Sequence, residues 1–313
     1  MIGPLNSGLA VLIAGLAVWI ILARNTFSAV VAFIAYGLLL TLVWAQLQGI
    51  DVALTEAAIG GGLTGALLIG AASRLKSAEN AVSAERPGKV LKWLAAGISA
   101  AVTGVLAVCV LTLPEPAPTL ADQVAANIGS TGVGNPITAV LLAFRAMDTL
   151  LEAIVLLFAL IGVWSLTPDR FWAGRPGMQQ SADPNGILAY IARVLPPIGI
   201  VVGLYIFWVG ADYPGGKFQG ATILAAMWLL VIMAGLADAP AINRGVLRLS
   251  LVLGPLVFIG IGVLGVAVAG AFLAYPVDYA KPLILVIEFA LMPTLTLILG
   301  LLLLGAPQRA AES

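Results

Sequence analysis

Histidine is absent from this sequence of 313 residues, and cysteine occurs once. The lack of histidine removes the commonest metal ligand and the commonest general base near neutral pH. The single cysteine, Cys109, excludes an internal disulfide and a cysteine metal cluster. Its place among alanine, valine and leucine predicts a small core side chain. We therefore expect no metal site, no bound cofactor and no enzymatic activity.

Charge is also scarce. Charged residues make up 10% of the chain and hydrophobic residues 61%, with a mean hydropathy of +1.08, whereas a soluble domain carries roughly 25% charged residues. Acids and bases balance at 15 each, which gives no sign of a nucleic-acid partner. The composition predicts an all-α, polytopic membrane protein.

Apolar segments that approach the roughly 20 residues needed to cross a bilayer occur nine times. They cover residues 8–23, 27–47, 52–73, 92–113, 137–166, 188–209, 218–237, 249–274 and 282–304. No positively charged stretch and cleavage site mark the N-terminus, so we expect the first segment to be a span rather than a removable signal.

Basic residues are distributed unevenly between the two sides that nine spans define. Lys217 and Lys281 fall on one side, and Arg145 lies within the fifth span. The other side has Arg24, Arg74, Lys76, Arg86, Lys89, Lys92, Arg170, Arg175, Arg193, Arg244, Arg248 and Arg309. Because positive residues concentrate in cytoplasmic loops, this asymmetry predicts an N-terminus outside and a C-terminus in the cytoplasm.

Three stretches rich in polar residues, proline or glycine divide the chain and are predicted to be linkers. They cover residues 74–91, 114–136 and 167–187. The second and third stretches separate three blocks, which are 1–113 with four spans, 137–166 with a single long span, and 188–304 with four spans. The first stretch lies within the first block. The single span has about 30 residues, or roughly 45 Å as a helix, so it either tilts or runs partly along the interface.

That long span carries a cation and two carboxylates. At 100° per residue, Arg145, Asp148 and Glu152 share one helix face. A structural interpretation is a buried Arg145–Asp148 ion pair that fixes packing. One arginine cannot neutralise two acids, however, so we expect Glu152 to be able to exchange a proton.

Further acids lie in the third and ninth spans. Asp51 either caps a helix or lies at an ion entrance, and Glu56 lies deeper. Gly60, Gly61 and Gly62 follow and predict either close packing or a π-type bulge. Glu288 in the ninth span should find a partner on another helix or serve a proton path.

Several motifs resemble known antiporter subunits. Segment 51–60 (DVALTEAAIG) resembles the small membrane subunit of membrane-bound hydrogenases, a segment that recurs in the C-terminal part of the A subunit of Mrp-type cation/proton antiporters. Segment 144–152 (FRAMDTLLE) looks like the F-R-x-x-D-T-x-x-E element of the same families. Residues 188–304 resemble the antiporter B subunit in the Leu-Pro-Pro of span six, the Pro-Gly-Gly turn at 214–216 with Phe218, and Glu288 with Ala290. The chain resembles a natural fusion of these pieces.

The resemblance also has departures. Ala211 stands where the B-type turn has histidine, Lys217 stands where it has a third glycine, and Glu288 replaces the usual aspartate. The long antiporter-like module with intramembrane lysines is missing, so we do not expect the chain to transport ions by itself.

The resemblance implies a membrane subunit of a multisubunit cation/proton antiporter, or of a related ion-translocating complex, in the inner (plasma) membrane. Its partners would be other membrane subunits, protons, and sodium or another monovalent cation. The implied site has carboxylates in a proton path, an electrostatic partner and a candidate entrance. These are Glu56, Asp148, Glu152 and Glu288 for the path, Arg145 as partner, and Asp51 and Lys217 at the entrance.

Three alternatives stay open. The charged face of the long span could serve a scaffold that joins antiporter-like partners without carrying protons. The chain could also be a stand-alone secondary transporter. A membrane enzyme or quinone-reactive subunit is disfavoured, because histidine, a nucleophile motif and a nucleotide loop are missing from the sequence.

Overall fold

The computed structural model describes residues 4–82, 88–114, 116, 118–180 and 183–310. Helices dominate it. The α-helices are α1 (Pro4–Leu22), α2 (Thr26–Gln46), α3 (Ile50–Thr55), α4 (Thr64–Val82), α5 (Lys89–Leu111), α6 (Ala121–Asn127), α7 (Pro136–Ala139), α8 (Ala146–Ser165), α9 (Ile187–Val209), α10 (Lys217–Met233), α11 (Gly245–Ala269) and α12 (Ala280–Leu304). Two short strands, β1 (Arg175–Pro176) and β2 (Pro307–Arg309), pair antiparallel.

Seven helical segments of the described part of the chain are long and apolar enough to cross a membrane. Two shorter apolar helices, Asn6–Leu22 and Lys217–Met233, lie at the other two predicted positions. The prediction of an all-α polytopic membrane protein is therefore confirmed. The count of nine crossings and the orientation of the termini stay predictions.

The core lies in the C-terminal half. Helix α10 packs against α9 and α12, and α8 packs against α11 and α12. Among the seven apolar segments, the one that contains α12 is the most enclosed, with 56% of its 18 most apolar consecutive residues buried. Large side chains such as Phe258, Ile287 and Leu291 fill the space between these helices. A helix that is apolar on all sides is expected at such a central position.

The N-terminal half is more open. Helix α1 packs against α2, and α2 packs against the segment from α3 to α4. Helix α5 has no buried residue. Cys109, expected to be a core side chain, is exposed on it, so that prediction was wrong for the chain on its own. Because α5 carries no charged residue outside its first turn and is mostly apolar, its exposed surface suits lipid or another subunit.

The stretches predicted to be linkers contain helical structure. Helix α4 continues to Val82 within stretch 74–91, whose residues 83–87, including Arg86, lie outside the described residues. Stretch 114–136 contains α6 and a 3₁₀ turn, Ile128–Thr131. Stretch 167–187 contains a 3₁₀ turn, Asp169–Phe171, and strand β1.

Two π-helical segments interrupt the spans that carry the predicted acids. Glu56–Leu63 is a π-helix between α3 and α4. It contains the three glycines that predicted a π-type bulge as one of two outcomes. Val140–Phe144 is the second and ends at Arg145, whose φ and ψ are −130° and 37°. The long span is therefore not one continuous helix. π-Bulges are common at functional sites because they redirect side chains.

Hydrogen bonds from a side chain and from the backbone satisfy carbonyl groups of the second π-helical segment, Val140–Phe144. The Arg145 amide donates to the Val140 carbonyl five residues back at 2.7 Å. The Thr149 hydroxyl donates to the Leu141 carbonyl at 2.6 Å. Satisfied backbone groups are what an irregular segment needs at membrane depth.

Ion pairs occur near both ends of α12. Beyond its C-terminal end, Arg175 and Arg309 both contact the carboxylate of Asp238, at 3.3 and 2.8 Å. Near its N-terminal end, Lys281 binds Asp212. This arrangement agrees with the sequence assignment of Arg175 and Arg309 to one side and Lys281 to the other.

Thr294 joins α12 to α11. Its hydroxyl donates to the Ser250 carbonyl at 2.7 Å and accepts from the Gly254 amide at 3.1 Å. Pro255, which follows, has no amide hydrogen to donate. A side chain that bonds into a helix ladder next to proline both accommodates the local irregularity and fixes the two helices together.

We predict that Thr294→Val destabilises the protein by about 1–2 kcal/mol, because it leaves buried groups of α11 without their partner. Thermal unfolding of the detergent-solubilised protein measures the change. Thr296→Val is the matched control, since the Thr296 hydroxyl bonds the Met292 carbonyl of its own helix. Equal losses for the two variants would contradict the role given to Thr294.

Candidate functional site

The Pro-Gly-Gly turn positions the start of α10. Gly215 and Gly216 have φ values of 151° and 136°, conformations that side-chain-bearing residues rarely adopt. The Gly216 amide donates to the Ile206 carbonyl of α9 at 3.0 Å, which folds the turn back onto that helix. Lys217, the next residue, is therefore directed into the protein.

Lys217 and Glu288 form an ion pair in the interior. Their side chains are each 3% exposed, and Lys217 Nζ lies 3.7 Å from Glu288 Oε1. The ammonium also lies 5.4 Å from the centre of the Phe218 ring, a cation–π distance. Among the described residues, none forms a hydrogen bond with Glu288 Oε2. A buried carboxylate with one unpartnered oxygen is open to a further donor.

A cavity of about 260 Å³ surrounds this pair. It collects residues from α3, the segment around α7, the Pro-Gly-Gly turn, α8, α10 and α12. The lining consists of Asp51, Val52, Thr55, Ile59, Ile137, Thr138, Leu141, Glu152, Gly215, Gly216, Lys217, Phe218, Gln219 and Glu288. Glu152 is itself exposed, so the cavity reaches the surface of this chain. Four of the residues singled out in the sequence thus meet in one place.

Asp51 joins the third span to this turn. Its carboxylate accepts from the Gly215 amide at 3.0 Å and from Asn135 Nδ2 at 3.2 Å. Gly49 occupies the N-cap position of α3 and no side chain caps that end. The interpretation of Asp51 as a helix cap is therefore wrong. Its carboxylate instead holds segments that are more than 80 residues apart in the chain.

Three polar residues that the sequence analysis did not assign complete the junction. Asn135 caps α7 by accepting from the Ile137 amide, and its amide group donates to the Tyr213 carbonyl. The Thr138 hydroxyl donates to the Gly210 carbonyl at 2.6 Å. Gln219 Nε2 donates to the Thr55 hydroxyl at 2.9 Å. The sequence Asn135-Pro136 is typical of a helix N-terminus and could have indicated the cap. The roles of Thr138 and Gln219 are recognisable only from their contacts in the structure.

Arg145 and Asp148 lie outside the cavity lining. They form the expected ion pair, 2.6 Å between Nη2 and Oδ2, but their side chains are 70% and 52% exposed. The interpretation as a buried pair is therefore wrong for this chain on its own. Asp148 and Glu152 both belong to α8, whereas Arg145 precedes that helix. Glu152 lines the cavity together with Lys217.

Glu56 also lies outside that lining. Its carboxylate folds over Gly60 of its own π-helix, and its Oε1 lies where a side chain on Gly37 of α2 would begin. Thr55 and Ile59, which flank Glu56 in sequence, do line the cavity. The end of α3 and the π-helix thus present a hydroxyl and an apolar group to the cavity, whereas the Glu56 carboxylate turns towards α2.

Asp212 lies outside the spans and ties the turn to α12. Lys281 Nζ donates to its two carboxylate oxygens at 2.8 and 2.9 Å, and the Gly134 amide adds a third bond. These bonds, chiefly that from Lys281, hold the pKa of Asp212 below its ordinary value. A carboxyl group with a lowered pKa stabilises the folded state fully above its unfolded pKa, and that stabilisation disappears as the pH falls through the folded value.

We predict that Asp212→Asn lowers stability at neutral pH by at most about 1 kcal/mol, because the pair is partly exposed and screened. The difference from the unaltered protein should vanish at a pH below the lowered pKa of Asp212. Thermal unfolding as a function of pH measures both. Asp122→Asn, at an exposed site on α6, is the control and should have little effect at any pH. A difference that persists at low pH would contradict the assignment.

Two family models match the chain. The MbhD model, which describes the D subunit of MBH, matches residues 11–77. The MnhB model, described as a domain related to the MnhB subunit of Na+/H+ antiporter, matches residues 187–306. The two matched regions contribute Asp51 and Thr55 on one side of the cavity, and Lys217 and Glu288 on the other.

Similar proteins include an uncharacterized protein of Methanocaldococcus jannaschii, which is 26% identical over 156 residues, or 45% of this chain and 60% of the relative. A chain of the Mrp complex from Dietzia sp. DQ12-45-1b superposes with a TM-score of 0.74 at 21% identity, over 99% of this chain and 36% of that chain. A chain of the membrane-bound sulfane sulfur reductase, an archaeal respiratory membrane complex, superposes with a TM-score of 0.54 at 24% identity, over 68% of this chain and 98% of that chain. This chain thus spans only part of the first two.

Proposed function

We propose that this chain, in which a region matching the MbhD model precedes a region matching the MnhB-related model, is a subunit of an Mrp-type multisubunit cation/proton antiporter and provides a proton-binding site to it. The observation that carries the proposal is the cavity in which Glu152 and the buried Lys217–Glu288 pair meet. The chain acts in ion transport and not as an enzyme, and it works in the plasma membrane.

The charges of the cavity support this role. One ammonium faces two acids, so it cannot neutralise both, and a proton must be shared among the three groups. Intramembrane ionisable groups are costly and usually mark ion or proton paths. Asp51 lines the same cavity, where its Oδ1 accepts hydrogen bonds from the Gly215 amide and from Asn135 Nδ2.

The dimensions of the cavity support proton transfer. A volume of about 260 Å³ has room for several water molecules, each of which needs polar partners. Glu152, Lys217 and the unpartnered Oε2 of Glu288 provide such partners. A proton taken up at exposed Glu152 can thus pass through water to Glu288 and the interior of the C-terminal half. Asp148 and Glu56 are the candidates for continuing the path.

The coupled movement of sodium, or of another monovalent cation, is assigned to partner subunits. The exposed apolar surface of α5 and the exposed Arg145–Asp148 pair are where such partners would pack. Protons exchanged in the cavity would then be coupled to cation flow through shared helices at these contacts.

We predict that Glu152→Gln reduces cation-dependent dissipation of a proton gradient about tenfold or more, because an amide cannot carry the proton. The assay uses membrane vesicles that contain the native complex, with complex abundance measured by native gel. Glu152→Asp is the matched control and should retain part of the activity. Full transport by Glu152→Gln at normal abundance would end the proton-path proposal.

A second function is supported by the Arg145–Asp148 pair. An exposed ion pair within an apolar span is unfavourable against lipid and favourable against a partner with polar groups. The pair could therefore belong to an assembly surface, and the chain would act as a scaffold at this place even while it conducts protons elsewhere.

We predict that Arg145→Ala lowers the amount of assembled complex severalfold, since it leaves Asp148 unpaired at a subunit contact. Native gel electrophoresis of solubilised membranes measures assembly. Arg170→Ala, which removes an arginine beyond the end of α8, serves as the control. Normal assembly of Arg145→Ala, combined with lost transport, would place Arg145 in the proton path instead.

A further inference from the structure

The ammonium of Lys217 occupies the position that a free cation would take in the cavity. It lies beside Glu288 Oε1, it is enclosed to 3% exposure, and Glu152 of α8 lines the same cavity. The side chain is fixed at its base, because Lys217 is the first residue of α10 behind a turn that hydrogen-bonds to α9.

Several side-chain oxygens around the cavity are engaged in hydrogen bonds with other groups of the protein. Small hard cations need several oxygen ligands at once. Asp51 is bonded to Gly215 and Asn135, and the hydroxyls of Thr55 and Thr138 are bonded to Gln219 and to the Gly210 carbonyl. The carboxylates of Glu152 and Glu288 line the cavity together with the ammonium, and Glu288 lies 3.7 Å from it. A second cation at the same carboxylates would be strongly repelled.

We propose that Lys217 is a built-in cation that excludes sodium and other free monovalent metal cations from the cavity, so that protons are its substrate. This inference rests on the proposed function and narrows it, because it assigns protons to this chain and metal cations to its partners. Oε2 of Glu288, buried and unpartnered among the described residues, is the atom that takes up the proton.

Carbodiimide labelling of Glu288 tests the proposal. A hydrophobic carbodiimide reacts with protonated carboxyl groups in apolar surroundings, and a cation bound to the carboxylate slows the reaction. The labelled residue is identified by peptide mass spectrometry on the purified native complex. This readout depends on occupancy at Glu288 and not on transport.

In the native complex, we expect sodium to leave the labelling rate of Glu288 unchanged. In Lys217→Met, which keeps the volume and removes the charge, sodium should slow labelling in a concentration-dependent way. The apparent sodium affinity should rise on the order of 1000-fold, as expected for removing a cation about 4 Å away. Lys217→Gln provides a second variant with a polar side chain, and N-methylglucamine controls for ionic strength.

Lys281→Met, at the Asp212 pair, should behave like the native complex. Protection of Glu288 by sodium in the native complex would overturn the proposal, even if neither Lys217 variant assembles. Absence of sodium protection in an assembled Lys217→Met complex would also overturn it. A failure of the proton-path proposal is recognised separately, by unimpaired transport in Glu152→Gln.

Discussion

The ion pair between Lys217 and Glu288 is the contact on which the rest of the arrangement depends. Burying an ammonium and a carboxylate costs several kcal/mol for each, and their attraction offsets this only with good geometry and further partners. At 3.7 Å, with one carboxylate oxygen unpartnered among the described residues, the pair is not optimised for stability. An arrangement of this kind is understandable where a proton must arrive and leave.

The surrounding structure places this pair at a junction. Asp51 fastens the third span to the Pro-Gly-Gly turn, and Gln219 fastens α10 to Thr55. Asn135 and Thr138 bind the same turn from the segment before α8. Three regions of the chain thus share one cavity, and two of them match different subunit families. Fusion into one polypeptide keeps these contacts within a single chain.

The helices were predictable from the sequence because apolar runs and turn residues are local signals. Predicted span 188–209 corresponds to α9, Ile187–Val209, and span 27–47 to α2, Thr26–Gln46. The three glycines indicated either close packing or a π-type bulge, and the structure has a π-helix there. The break at Arg145 was not predictable, since Ala146 and Met147 beside it are good helix formers, and it places Arg145 outside the helix that carries Asp148 and Glu152. The partnership of Lys217 with Glu288 spans 71 residues and carries no local signal.

A double-mutant cycle tests the central claim most directly, namely that Lys217 and Glu288 act as one charged unit. The variants are Lys217→Met, Glu288→Gln and both together, with thermal stability and gradient dissipation measured for each complex. Each single change should destabilise the complex by about 3–5 kcal/mol, because it strands a buried charge, and the double change should cost less than their sum while abolishing transport. Additive losses of stability, or transport by the double variant, would contradict it.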